Sequence, residues 1–199
     1  MDAGARIDTL GPLGRGYPLD EPGTPVLVAG GRGVARSCSR PTRCARRGRR
    51  SEFLFGARSR DYLVGLDDAR RRLARLGGRL HLCTDDGSRG FHGNVVELLE
   101  REARRIEAPV VIHACGPHAM LKAVAQWAIA HDVQAWLAME SVMACGTGVC
   151  RGCPLPRSAS GRRAFGNAVP SLLGNKELAM CCTEGPIFEA RDLDWERVH

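Results

Sequence analysis

The sequence predicts an α/β fold: a parallel five-stranded sheet followed by a small C-terminal cysteine-loop domain. Five short apolar runs alternate with helical patterns, as is typical of a parallel sheet covered on both faces. Most of these runs end in glycine or turn residues, at the carboxyl ends where such sheets bind ligands. Three of the nine cysteines lie between residues 145 and 153, directly after the last run.

The elements follow from local patterns. Leu66, Ala69, Leu73 and Leu76 recur at helical spacing, and Gly77-Gly78 ends that helix. Asn94 is a good N-cap for a helix over residues 95–105, and a further helix opens at Pro117 and runs to about residue 131. No convincing helix follows the first strand, because Pro41 interrupts it. The predicted strands are Val26–Ala29, Glu52–Ala57, Arg79–Thr84, Pro109–Ala114 and Gln134–Met139.

Composition excludes several classes of protein. The net charge of +7 comes from eight arginines between residues 32 and 50, a segment without acids, so the rest of the chain carries 7 − 8 = −1. That segment holds no aromatic residue to stack on bases, which argues against nucleic-acid binding. It is either a polyanion- or phosphate-binding loop or a solvated insert, and the insert is favoured. No run of 18 apolar residues could span a membrane. Cysteine-rich and without a secretory signal, the chain is expected to be cytoplasmic.

Several motifs follow predicted strands and are therefore expected at one edge of the sheet. Gly30, Gly31 and Gly33 form a turn of the type that brings backbone N–H groups against a pyrophosphate. Thr84 and Asp85 follow the third strand, although aspartates also simply form turns. Cys115, Gly116 and Pro117 follow the fourth, where Cys115 contacts a nicotinamide or is a buried structural cysteine. Together they predict a dinucleotide site.

Cys145, Cys150 and Cys153 have the C-x4-C-x2-C spacing of plant-type 2Fe-2S ligation, with glycines between them. Zinc is the rival, but structural zinc sites usually show two separated pairs of ligands, and here the far side offers only the adjacent Cys181 and Cys182. Spacing alone does not decide which of these two is the fourth ligand.

Residues 9–190 resemble the electron-transfer subunits of class B dihydroorotate dehydrogenases, within the ferredoxin-NADP reductase superfamily. The Cys-Gly-Pro motif is common to the superfamily, and its combination with the cysteine loop and Cys-x-x-Gly-Pro-x-Phe is more specific. The matching stretches are residues 11–17, 26–35, 53–58, 84–88, 114–117, 143–153 and 182–188.

This resemblance implies a sheet of the ferredoxin reductase type and a cluster completed by Cys182, with Cys181 as a bystander. It also implies FAD and NAD(H) as cofactors beside the 2Fe-2S cluster. Electrons would pass between the nicotinamide dinucleotide, FAD and cluster, and to or from an FMN-containing dihydroorotate dehydrogenase catalytic subunit in pyrimidine biosynthesis. The chain would then be an oxidoreductase component within a hetero-oligomer, with no catalytic residues of its own assigned.

The resemblance also suggests boundaries. Residues 25–140 form the NAD-binding domain, 141–199 the 2Fe-2S domain, and 1–24 a linker from an FAD-binding β-barrel that the family normally carries and this sequence is expected to lack. Residues 32–50 depart from the family pattern as a frame-shifted or divergent segment. Two other functions stay open: a related NAD(P)H:acceptor reductase subunit, and a zinc-stabilised nucleotide-binding module without redox activity.

Overall fold

A computed structural model of the chain describes residues 4–18, 20–37, 50–166 and 177–198. Most of the arginine-rich segment predicted as an insert, together with Cys38 and Cys44, lies outside these residues. The strands are β1 Thr24–Gly30, β2 Glu52–Ala57, β3 Arg79–Thr84, β4 Phe91–His92, β5 Val110–Cys115, β6 Gln134–Ala138, β7 Pro154–Pro156, β8 Leu178–Met180 and β9 Ile187–Glu189. The helices are α1 Val34–Ser37, α2 Leu66–Leu76, α3 Val95–Ala103, α4 His118–Ala130 and α5 Ala159–Gly166.

The main sheet has the order β4-β3-β2-β1-β5-β6-β9. All five predicted strands are present and mutually parallel, but the five-strand count is wrong because two edge strands join them. Strand β4 has only two residues, too few for a recognisable pattern. Strand β9 belongs to the C-terminal segment and pairs with β6 in the antiparallel direction. Tertiary contacts, rather than local periodicity, create both.

Apolar side chains of the sheet pack on both faces, as the prediction required. Val26 and Val28 point to the face covered by α3 and α4, while Leu27 and Ala29 contact the side covered by α2. This alternation is the two-residue period of a strand buried on both sides. Within the described residues, no helix is both long and apolar enough to cross a bilayer.

The C-terminal segment shares the core of the sheet. Strands β7 and β8 form a separate antiparallel pair, and apolar residues of this region pack in the same cluster as Val28 and Leu137. The predicted division into domains at residue 140 stays a prediction. What the structure adds is that a strand of the later segment, β9, is hydrogen-bonded into the sheet of the earlier one. The buried residues from the C-terminal side include Cys153, Leu155, Ala179, Trp195 and Val198.

The boundaries of α2, α3 and α4 agree closely with the sequence, whereas the four-residue α1 follows the first strand, where the sequence predicts no convincing helix. Helix α2 spans the predicted residues, and Gly77 closes it in the left-handed conformation. Asn94 caps α3: its side chain accepts from the N–H groups of Val96 and Glu97, and the Glu97 carboxylate accepts from the N–H of Asn94. Pro117 is the N-cap of α4 and not a residue of its first turn.

Replacing Asn94 tests this capping box. Asn94→Ala removes the acceptor for two N–H groups of the first turn, so we expect the free energy of unfolding to fall by about 1 kcal/mol. Asn94→Ser is the matched control, because serine caps helices nearly as well and should change stability by less than about 0.5 kcal/mol. Denaturant unfolding followed by circular dichroism measures both. Equal losses in the two variants would show that capping is not responsible.

Cys83 on β3 offers a second test. Burial, followed by the nearby carboxylates of Asp85 and Glu97, raises the pKa of its thiol to about 12. Only the thiolate is nucleophilic, so in the folded protein Cys83 should resist iodoacetamide at about pH 8 and react once urea unfolds the chain. Mass spectrometry of the peptides measures the modification, with the exposed Cys150 of the metal-free protein as the reactive reference. Modification of both thiols at similar rates in the folded protein would contradict the burial argument.

Candidate functional site

The carboxyl ends of the five parallel strands meet at one edge of the sheet. Gly30 of β1 is paired with Gly56 of β2, and Cys115 of β5 with Ala138 of β6. A pocket of about 980 Å³ lies at this edge, at the upper end of the range for pockets that hold small ligands. Its walls come from the ends of β1 and β2, the loop after β3 and the first turns of α3 and α4.

The turn after β1 lies directly against the end of β5. A Cβ on Gly33 would come within 2.1 Å of the Cys115 carbonyl oxygen, so only glycine allows this approach. Gly31 has φ +50° and open space around its Cα on the pocket side. The turn therefore exposes its glycine backbone to the pocket beside Arg32, which is an arrangement that lets N–H groups contact an anion.

Helix α4 contributes the second backbone wall. Its N-cap is Pro117, whose side chain makes no capping hydrogen bond, and its first turn contains no acidic residue. The N–H groups of a first turn have no partner within the helix, and the helix dipole favours negative charge there. The start of α3 differs, because Asn94 and Glu97 already occupy its N–H groups. An anionic group in the pocket is therefore best placed between the Gly31 turn and α4.

Four of the eight predicted dinucleotide-binding residues line the pocket: Gly30, Gly31, Asp85 and Pro117. The other four lie behind its wall. Gly33 packs on Cys115, while Gly116 lies close to the Met120 side chain and to the N–H of Gly30. Cys115 itself is partly buried.

Thr84 is fully buried and shapes the loop after β3. Its hydroxyl donates to the Arg89 carbonyl over 3.1 Å and accepts from the Arg89 N–H over 2.9 Å. Asp86 accepts from the N–H and the hydroxyl of Ser88, and the Ser88 hydroxyl is the main cause that lowers the pKa of its carboxyl group. Asp86 is therefore a turn-forming aspartate, whereas Asp85 faces the pocket.

Sequence reasoning missed several lining residues. Tyr62 and Val64 border the pocket and are 61% and 60% exposed. Arg32 and Arg58 bring positive charge to its rim. The rule that ligands bind past strand ends would have found Arg58, because it follows the last residue of β2. Tyr62 carried no such signal, since its position depends on the path of the chain after that strand.

The cysteines approach one another as two pairs. The Cys150 N–H donates to the Cys145 sulfur over 3.4 Å, and the Cys182 N–H donates to the Cys153 sulfur over the same distance. The Cys182 thiol also interacts with the N–H of Gly148, and it lies close enough to Cys145 for a charge there to raise its pKa. The four predicted ligands therefore belong to one locality of the molecule.

Cys181 faces away from this group. Its sulfur lies 4.0 Å from the Met139 carbonyl oxygen, while its N–H donates to the Cys153 carbonyl. Consecutive side chains diverge, so the backbone bond that brings Cys181 to Cys153 leaves Cys182 as the thiol that lies near Cys153 and Cys145. This choice could not be made from the spacing.

The loop supplies backbone N–H groups to its sulfurs. Gly146 and Gly148 have φ of +70° and +85°, and Arg151 has φ +55°, so the chain curls with N–H groups directed inward. The N–H groups of Cys150 and then Thr147 lower the pKa of the Cys145 thiol to about 6. Burial, and next the neighbouring Cys153, raise the pKa of the Cys182 thiol. The loop therefore stabilises thiolate at its exposed side.

In the part of the chain that the structure describes, no three Cys, His, Asp or Glu side chains are arranged to hold one metal ion. A structural zinc site takes four donors around a single ion. Two pairs of thiols with N–H donors between them suit a group with two irons better, because each iron then takes two cysteines. The donor chemistry thus fits a 2Fe-2S cluster.

The lead-in segment, residues 11–17, connects the cysteine site to the sheet. The Arg15 N–H donates to the Gly185 carbonyl, and the Leu13 side chain lies against Gly146. The Tyr17 hydroxyl donates to the Ala114 carbonyl over 2.6 Å. This segment therefore contacts the cysteine loop, the Cys182 turn and the strand that ends at Cys115.

Comparison with known proteins gives consistent relatives. The chain is 31% identical over 196 residues to the dihydroorotate dehydrogenase B (NAD(+)) electron transfer subunit of Listeria monocytogenes serotype 4b, covering 97% of this chain and 68% of the relative. The corresponding subunit of Enterococcus faecalis OG1RF gives the same identity and coverage. That of Desulforamulus reducens is 30% identical over 97% of this chain and 67% of its own length. No protein-family model matches the chain.

A solved structure agrees with these relatives. The chain superposes on a chain of the NADH-dependent reduced ferredoxin-NADP oxidoreductase, a flavin-based electron-bifurcating enzyme, with a TM-score of 0.76 and 26% identity. The match covers 96% of this chain and 61% of that one. The chain thus spans about two thirds of the length of the proteins it matches. On an identity of 31% across 97% of its length, the chain belongs to the family of dihydroorotate dehydrogenase B electron transfer subunits.

Proposed function

We propose that this chain relays electrons between a nicotinamide dinucleotide and a partner enzyme through a 2Fe-2S cluster. The observation that carries the proposal is that both sites lie at one edge of the sheet. The dinucleotide-sized pocket lies past the ends of β1 and β2. Strand β6, which is two strands from β1 in the sheet, leads into the cysteine loop. Adjacent strands are about 5 Å apart. A ligand at the pocket and a cluster at the loop would therefore be neighbours.

Cys145, Cys150, Cys153 and Cys182 are the proposed ligands, paired as the thiols approach each other. When bound, the cluster would accept and release electrons one at a time. The chain's own contribution is to hold the sulfurs and to stabilise their negative charge with the N–H groups of Thr147, Gly148 and Cys150.

In the pocket, the Gly31 turn and the start of α4 would bind the pyrophosphate of NAD(H). Asp85, which lines the pocket, would accept a hydrogen bond from a ribose hydroxyl. Arg32 and Arg58 add positive charge near the phosphates. We assign these residues to the nicotinamide dinucleotide and none to FAD, which enters the proposal through the family and is tested by flavin content.

The proposed partner is the FMN-containing dihydroorotate dehydrogenase catalytic subunit, in the cytoplasm, where thiols stay reduced. Exposed apolar side chains surround the cysteine loop, with Val142 84% and Val149 79% accessible. A bound subunit would remove these apolar side chains from water, which favours association. Because Cys150 is exposed beside Val149, a subunit bound there would lie close to the cluster.

A second candidate is a related reductase subunit that serves a ferredoxin-type acceptor. It is favoured by the likeness to the NADH-dependent reduced ferredoxin-NADP oxidoreductase at a TM-score of 0.76. Co-purification distinguishes the two: an FMN-containing subunit with dihydroorotate activity supports the first, and a ferredoxin-linked partner supports the second.

Adjacent cysteines provide a sharp test of the cluster. Anaerobically reconstituted Cys182→Ser protein should lose most of its iron, acid-labile sulfide and visible absorption, because one iron loses a thiolate ligand. Cys181→Ser is the matched control and should keep all three, since its thiol faces Met139. Iron, sulfide, flavin and zinc are determined together on each protein. Colourless protein with stoichiometric zinc would overturn the redox proposal in favour of a zinc-stabilised module.

The dinucleotide pocket is tested at Gly31. Gly31→Asp places a negative charge in the open space beside the proposed pyrophosphate position, and we expect NADH affinity to fall by about tenfold or more. Gly31→Ala is the control for backbone strain at φ +50°, which both variants share. Titration calorimetry with NADH and with NADPH measures the effect. Equal affinities for the two variants would place the pyrophosphate elsewhere.

A further inference from the structure

The turn that carries Cys182 is anchored by a carboxylate. One oxygen of Glu184 accepts from the Met180 N–H over 2.8 Å, and the other pairs with the guanidinium of Arg157. The Glu184 N–H in turn donates to the Met180 carbonyl, so both ends of residues 180–184 are tied together. The side chains of Arg157 and Glu184 are only 8% and 12% exposed.

The ion pair joins the two segments that hold the Cys153–Cys182 pair. Arg157 lies four residues after Cys153, at the end of β7, and Glu184 lies two residues after Cys182. The Arg157 N–H donates to the Glu177 carbonyl next to β8, which fixes the start of its side chain against the other segment. The pair therefore links, with one direct contact, two segments whose cysteines lie 29 positions apart in the sequence.

Fold stability alone does not explain a buried ion pair. Removing two charges from water is unfavourable, and apolar residues of similar volume usually stabilise a core equally well or better. The β7–β8 ladder and the bond from the Cys181 N–H to the Cys153 carbonyl already join the two segments. The ion pair also fixes an orientation. Because hydrogen bonds between its two charged groups have a defined geometry, they set the orientation of the Cys182 turn.

We propose that Arg157 and Glu184 are positioning residues that set the spacing of the Cys153 and Cys182 sulfurs for a bound iron. The inference rests on the proposed function, since it requires the cluster to be bound there. Neither residue touches the iron. They act through the two cysteines, as hydrogen-bonded partners of ligands do in other metal sites.

Glu184→Gln tests the proposal in the full chain reconstituted with iron and sulfide. It keeps the size of the side chain and an acceptor for the Met180 N–H but removes the charge that pairs with Arg157. We expect the rate of iron release to a chelator to be about 10- to 100-fold higher than in the wild type. We also expect altered g-values in the electron paramagnetic resonance spectrum of the reduced cluster. Glu177→Gln is the control: it makes the same change in the exposed pair with Arg162 and should alter iron release less than about twofold.

Arg157→Lys supplies a second variant, which keeps the charge and loses the planar geometry of the guanidinium. Its iron release should lie between those of the wild type and Glu184→Gln. A lower melting temperature with unchanged g-values and iron release in both variants would assign the pair to folding alone and overturn the proposal. If the wild-type protein binds no iron and sulfide, both the proposed function and the positioning role fail. If the wild type binds them and the variants keep the same iron release and g-values, only the positioning role is overturned.

Discussion

Strand β1 pairs in parallel with β2 on one side and β5 on the other, and the arrangement of both candidate sites depends on this register. Val28 is paired with Leu54 and with Ala114, so the three strands end at the same edge of the sheet. A shift of one residue in this register would move every side chain of β1 to the opposite face of the sheet, where it would meet the other layer of helices. The same register puts the Gly33 turn against the Cys115 carbonyl, where no side chain could fit.

The cysteine site adds a second constraint, because its proposed fourth ligand, Cys182, comes from far along the chain. Strand β9 achieves this by pairing with β6, and the Met139 N–H donates to the Pro186 carbonyl at the point where β6 ends. Both ends of the cysteine region are thus fixed to one strand. The sheet that forms the dinucleotide pocket therefore also holds the frame of the cysteine loop.

Local patterns predicted the elements that local forces specify. The periodicity of α2, the left-handed Gly77 and the Asn94 cap follow from interactions within a few residues, and all three are present. Strands β4 and β9 are too short for a pattern and exist only because a neighbouring strand pairs with them. In the site, spacing proposes three cysteines as ligands and leaves the fourth open, and the family resemblance implies Cys182. The hydrogen bond from the Cys181 N–H to the Cys153 carbonyl, which spacing does not show, agrees with that proposal.

Both candidate sites meet negative charge with backbone N–H groups. The pocket presents the Gly31 turn and the start of α4, while the cysteine loop presents Thr147, Gly148 and Cys150. Backbone donors are held by the fold and need no reorganisation when a ligand's charge changes, which suits groups that gain and lose electrons. Glycines permit the curled backbone, but they cannot fix the distance between separate segments. Backbone pairing of β7 with β8 joins the two segments, and the ion pair of Arg157 with Glu184 is the side-chain contact that we propose sets the spacing of their sulfurs.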